Sequence, residues 1–249
     1  MPPVDRSAWR NTYIYAPGNR NTVLGGLYAA EGVTRANLYS MLEVFCRFTD
    51  TFQLHDDREQ LVQRDGQPLQ PGNYYIVTDG SVSSTDDVPL PCLTSSSSEA
   101  GVASFCDAVR ERDQQCIITG RPARLARFGS WIGFEPVHIF PLGHEQHWKD
   151  SKCDDWITIP PADESLGNIN SIQNGMLLAS HVLDFFTFYD LTINPDDNYK
   201  IVCFSPASRA FHIAGRHLDQ KFLSNPLRPV DQLLRWHFRQ AVLTNVKGA

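Results

Sequence analysis

Apolar residues recur at helical spacing near the start of the chain. Leu38, Met41, Leu42, Phe45 and Phe48 share one face behind Thr34, a good capping residue, so a helix is predicted from Thr34 to about Thr51. Tyr74-Tyr75-Ile76-Val77 reads as a strand, entered from Pro71-Gly72 and left at Asp79-Gly80. Val102, Phe105, Cys106 and Val109 predict a short amphipathic helix ending at Arg112-Asp113. Cys116 to Gly120 reads as a short strand and turn, and Trp131 to Phe140 as a second strand stopped by Pro141. The apolar run after Asn174-Gly175 is read as a helix to about Phe188. Leu191-Thr192-Ile193 and Tyr199 to Phe204 flank a turn-rich stretch and predict a hairpin. Val230 to Asn245 is a helix, with Leu234, Phe238, Ala241 and Val242 on one face and Asp231 in the first turn.

The punctuation divides the chain. Residues 81–101 are rich in Ser, Asp and Pro, with serines at 95–98, and read as a linker. This gives an N-terminal mixed helix and strand segment at 1–80 and a second unit at 102–249; the two can pack as one. The fold class expected is α+β.

Composition narrows the functional classes. Hydrophobic content is 42% and charged content 20%, ordinary for a globular protein. The chain has no apolar run long enough for a membrane span and no apolar stretch near Met1, so an intracellular, cytoplasmic protein is expected. Six scattered cysteines without a Cys-x-x-Cys pair read as reduced thiols, with Cys46 and Cys106 on apolar helix faces. The net charge of −6 argues against a general nucleic-acid binder. Residues 1–100 carry seven Arg and twelve acidic residues, a balance of −5, so the second part is nearly neutral. There Arg121, Arg124 and Arg127 cluster, as a solvated loop or as a phosphate clamp.

Three pieces carry the candidate chemistry. They are Arg112-Asp113-Gln114-Gln115-Cys116-Ile117-Ile118-Thr119-Gly120, then His138-Ile139-Phe140-Pro141, then Asn170 to Leu178 with Asn174-Gly175 inside it. Together they resemble the fungal HNH endonuclease domain family over residues 105–205, and Leu233 to Gln240 resembles the C-terminal helix of those proteins. The resemblance implies a ββα-metal core followed by that C-terminal helix. It implies His138 as general base toward an attacking water, and Asn174 as the holder of the base's loop. It also implies a histidine nine residues after Asn174 as ligand to one divalent metal, Mg or Zn, with a further ligand often just before the base. Those two positions here are Leu183 and Val137.

Neighbouring donors are poorly placed by helix geometry. His181 is turned about 200° from Leu183, and Asp184 about 100°. Glu135 lies on the opposite strand face from His138. His144 and His147 form a His-x-x-His pair that, with His181, is the alternative metal set. Leucine offers a cation nothing in place of its lost hydration. The leading expectation is therefore a repurposed HNH fold without a metal cofactor. His138, with Asn174 and Asp184, would act on an apolar small molecule in a cyclisation or isomerisation, in a fungal biosynthetic setting. Leu183, Glu135, Phe186, His181 and Trp148 would line the pocket. The alternatives are a metal-dependent nuclease with substitute ligands, acting on nucleic acid in the nucleus, and a non-catalytic binding or scaffold protein. His138 has a structural rival role, as a strand-end histidine held by backbone.

Overall fold

The computed structural model of the protein describes residues 5–91 and 99–248. The first segment contains β1 (Thr12–Tyr15), β2 (Val23–Leu27), α1 (Arg35–Phe45), β3 (Cys46–Phe48), β4 (Gln53–His55), β5 (Leu61–Val62), β6 (Gly72–Val77) and β7 (Val82–Ser84). Five strands form one sheet in the order β2-β1-β6-β4-β5; β1 and β6 are parallel and the other pairs antiparallel. Thr34 caps α1 as expected, and Asn37 completes a capping box. The helix stops at Phe45 rather than near Thr51. Cys46–Phe48 leaves it to pair with Val82–Ser84, so sheet pairing overrides the helical spacing that placed Phe48 on the face.

The second segment contains α2 (Glu99–Asp113), β8 (Phe134–His138), α3 (Glu145–Asp150), β9 (Gly175–Ala179), α4 (Ser180–Thr187), β10 (Leu191–Asn194), β11 (Lys200–Cys203), α5 (Gln220–Leu223) and α6 (Asp231–Asn245). The architecture is α+β. The hairpin is β10–β11, and α6 packs on β10 and α1. Its buried face joins Leu233, Leu234, His237, Phe238, Ala241 and Val242.

The fold departs from the sequence expectation at two places. Gly175–Ala179 is a strand, and the helix begins at Ser180. All five residues of β9 are buried, with α2 and α4 both in contact, so the run lacks the alternation that marks a half-buried strand. Cys116–Gly120 is a turn closed by the Gly120 amide on the Cys116 carbonyl, not a strand.

The stretch read as a linker is anchored up to residue 91, and residues 92–98, with Cys92 and the serines, lie outside the described residues. The Leu90 amide donates to Gln240 Oε1, Asp87 pairs with Arg239, and the Leu90 carbonyl accepts from the Tyr189 hydroxyl. The two segments also meet through glycines. A Cβ on Gly25 would lie 2.3 Å from the Val246 carbonyl, and one on Gly32 would lie 2.1 Å from Gly215 Cα. Buried apolar residues of both segments form one cluster, so they pack together. No helix among the described residues is long and apolar enough to cross a membrane.

Candidate functional site

Strands β8 and β9 are antiparallel, with Phe134 opposite Ala179 and His138 opposite Gly175. His138 therefore closes the strand at the point where Asn174 enters. Asn174 is fully buried and holds the chain after His138 from both sides. Its Oδ1 accepts the Phe140 amide at 2.8 Å, and its Nδ2 donates to the Phe140 carbonyl at 3.1 Å and the Ile169 carbonyl at 2.9 Å. Its own carbonyl accepts the Ile139 amide at 2.8 Å. A buried amide with every polar atom used is a structural clamp.

Arg112 fixes the other side of this junction. It donates to the Ile172, Leu227 and Gly175 carbonyls at 2.9, 2.8 and 2.7 Å, and pairs with Asp113. Asp113 in turn accepts the Leu177 amide at 2.8 Å. Burial raises the Asp113 pKa above the usual carboxylate range, while Arg112 pulls it back.

The His138 ring lies flat on Phe105 of α2, with centroids 3.6 Å apart. A Cβ on Gly175 would strike that same phenylalanine at 2.4 Å, so α2 covers this end of the hairpin closely. Burial pushes the His138 pKa down to about 4. The Asn170 side chain lies against it and acts in the opposite direction. Even so, His138 Nε2 and Asn170 Oδ1 are both sealed from solvent without a hydrogen bond of good geometry.

A cavity of about 30 Å³ adjoins His138, bounded also by Val137, Phe186, Thr187, Tyr189 and His237. It has room for about two waters. His237 Nε2 faces the Phe186 carbonyl at 3.1 Å, so this nitrogen carries the proton and Nδ1 accepts from the Thr192 hydroxyl at 2.7 Å. Full burial lowers its pKa to about 3. Sequence reading placed no chemistry on His237; the signal available was a histidine inside the apolar face of α6. Phe105 and the Arg112–Asp113 pair show in the sequence as a helix face and a motif, and their closing of the site depends on partners distant in the chain.

The remaining candidates do not converge on His138. Asp184 and His181 are exposed, His181 against Phe211 at 5.1 Å. Leu183 is half-buried against the core and does not border the cavity. Glu135 is exposed and accepts from the Ser180 hydroxyl at 3.1 Å. Trp148 is buried, donating to Asp154 at 2.8 Å. His144 Nε2 meets the Pro91 carbonyl at 2.6 Å, and His147 Nε2 meets the Ser151 hydroxyl at 3.3 Å, so that pair does not share a site. Of the expected pocket, the structure brings only Phe186 to His138.

Residues 116–194 match the family model described as HNH endonuclease, which supports an HNH-like domain over this stretch. Residues 9–83 match a model described as a domain of unknown function (DUF8573). No curated protein and no solved structure matches the chain. HNH domains are typically dependent on a divalent metal. Leu183 and Val137, the positions where the resemblance expects ligands, carry no donor atom, and no group of three or more His, Cys, Asp or Glu among the described residues is placed to hold an ion.

Proposed function

We propose that this protein keeps the HNH scaffold without metal-dependent phosphodiesterase chemistry and acts as a binding module. What supports this is that the candidate donors do not converge on His138: His181 and Asp184 are exposed, His144 and His147 are engaged elsewhere, and Leu183, where the resemblance expects a metal-binding histidine, offers no donor. His138 Nε2, sealed from solvent under the stacked Phe105 ring, supports the same reading, because a general base needs a ring nitrogen that reaches its water. The small-molecule enzyme is supported less well. Ligand pockets run to about 300–1,000 Å³, and the cavity beside His138 is about 30 Å³.

The test is supercoiled-plasmid nicking with Mg²⁺, Mn²⁺, Ni²⁺ or Zn²⁺, comparing native protein with His138→Ala. Native protein is expected to nick no faster than the variant with any of the four ions. Nicking by native protein that His138→Ala abolishes would overturn the proposal.

A further inference from the structure

We infer that the groove between α1 and α6 binds a neutral polyhydroxylated small molecule, a saccharide or polyol. This rests on the binding-module reading and gives it a site and a ligand class. The groove has a volume of about 510 Å³, within the range of small-molecule sites, about 300–1,000 Å³. It shares no lining residue with the cavity beside His138. Its floor follows from helix periodicity. Ala36, Ser40 and Val44 recur every four residues on one face of α1, and Phe238 lines the groove from α6. The two helices pack together, and alanine and serine are too short to fill the space left between them. The turn between β10 and β11 contributes Asn194, Asp196 and Asp197.

The charges around the groove already answer one another. Glu43, Asp196 and Asp197 stand against Arg64, Arg235 and Arg239, so the lining carries no net charge. Arg64 donates to Glu43 at 2.6 and 2.8 Å. Arg235 donates to Asp196 through Nε at 2.9 and 3.0 Å and through Nη2 at 2.7 Å. Arg239 donates to the Val44 carbonyl at 3.0 Å and pairs with Asp87, and Asp197 pairs with Lys200. A charged ligand finds no net field here, and its gain from one member of a pair is offset by the other.

What the pairs leave over is a set of single donors and acceptors. Asn194 is 4% exposed; its Oδ1 accepts the Asp196 amide at 3.1 Å, and its Nδ2 donates to none of the described residues. Arg235 Nη1 is left over in the same way. Ser40 Oγ donates to the Ala36 carbonyl at 3.1 Å, and Asp197 uses Oδ2 for Asn37 and Lys200, so each keeps an oxygen able to accept. Donors and acceptors together, without net charge, match neighbouring hydroxyls, because each hydroxyl both donates and accepts. Binding them breaks none of the existing pairs. Phe238 and Val44 offer apolar surface to the C–H face of the same ligand.

The experiment is titration of the ¹⁵N-labelled full chain with maltose, trehalose and myo-inositol, followed in ¹H–¹⁵N spectra. Glutamine, citrate and spermidine serve as zwitterionic, anionic and cationic controls. At least one neutral probe is expected to shift resonances of α1, α6 and the Asn194 side-chain amide. Its affinity is expected to hold when salt is raised about tenfold, since screening acts on charges. Ser40→Phe fills the floor without touching an ion pair and is expected to abolish the shifts. Arg235→Gln removes the Nη1 donor and is expected to weaken binding by about fivefold. Melting temperatures check that both variants fold; should Ser40→Phe not fold, Arg235→Gln and the location of the shifts in native protein decide. No shift from any neutral probe, shifts away from the groove, or tighter binding of a control overturns the inference. Plasmid nicking separates the two proposals. Nicking that His138→Ala abolishes, with polyol shifts at the groove, would remove the non-hydrolytic reading and leave the groove standing. No nicking and no polyol shifts would remove only the groove.

Discussion

The two ends of the β8–β9 hairpin use their polar groups in opposite ways. At the His138 end, Asn174 and Arg112 bind backbone carbonyls and amides of their own chain, and α2 covers the junction. At the Phe134 end, Arg121, Arg124 and Arg127 are exposed beside Leu125, Phe128 and Ile132. The difference separates two meanings of a kept motif. His138 and Asn174 carry the resemblance to HNH proteins, yet the hydrogen bonds of Asn174 to Ile139, Phe140 and Ile169 give it a structural task that needs no catalysis. The exposed loop instead stacks Arg121 on Phe134 and Arg127 on Phe128, and leaves Leu125, Phe128 and Ile132 largely in water.

The sharpest way to break this comparison is to remove a polar group from the covered end. Arg112→Ala strands the buried Asp113 carboxylate without its partner and frees three carbonyls of their donor. Breaking such a pair costs about 3–5 kcal/mol. Calorimetry should show a melting temperature lower by about 10 °C or more. Asn174→Ala comes next, because it orphans the Phe140 amide and two carbonyls. About 3 kcal/mol is expected by urea denaturation. A loss below about 1 kcal/mol in either variant would show that the covered end is not held as described.

Acid sharpens the contrast further. The folded-state pKa values of His138 and His237 are lowered to about 4 and about 3 by burial. The unfolded chain takes up protons on these rings near pH 6.5, before the folded chain does. Their contribution is therefore fully present above about pH 6.5 and is lost as pH falls toward the folded values. Asp113 and Asp190, raised by burial, act in the opposite sense: their contribution is present in acid and lost as pH rises. A urea midpoint that falls between pH 7 and pH 4 is expected, and His138→Gln should flatten that fall. An unchanged slope in the variant would mean that His138 is more open to solvent than its contact with Phe105 implies.

Much of the scaffold was legible because local rules agreed with the fold. Thr34 as a cap, the β10–β11 hairpin and the apolar face of α6 each follow from a pattern within a few residues. The illegible parts depend on distant partners. The strand Gly175–Ala179 is buried on both faces, and a uniformly apolar run carries no period. The end of α1 was decided by pairing with Val82–Ser84. The site divides in the same way. His138, Asn174 and Leu183 could be located by motif spacing. The lid formed by Phe105, and the place of His237 beside the same small cavity, come from α2 and α6, elements far apart in sequence.

The smallest expected effect is also the one that tests what Leu183 means. Leu183→His places an imidazole where the HNH resemblance expects one but leaves Val137 as it is and His138 stacked on Phe105. One imidazole alone does not replace the hydration of a divalent ion. A half-buried position should tolerate the change at about 1 kcal/mol. Zn²⁺ or Ni²⁺ is then expected to leave the melting temperature of Leu183→His where EDTA leaves it. A metal-dependent rise of several degrees would instead mean that the ion binds the folded variant, since only such binding raises stability with ligand concentration. The covered end would then be a metal site missing one ligand rather than a site converted to structure. Repeating the titration on Leu183→His, His138→Ala would show whether His138 leaves Phe105 to join it.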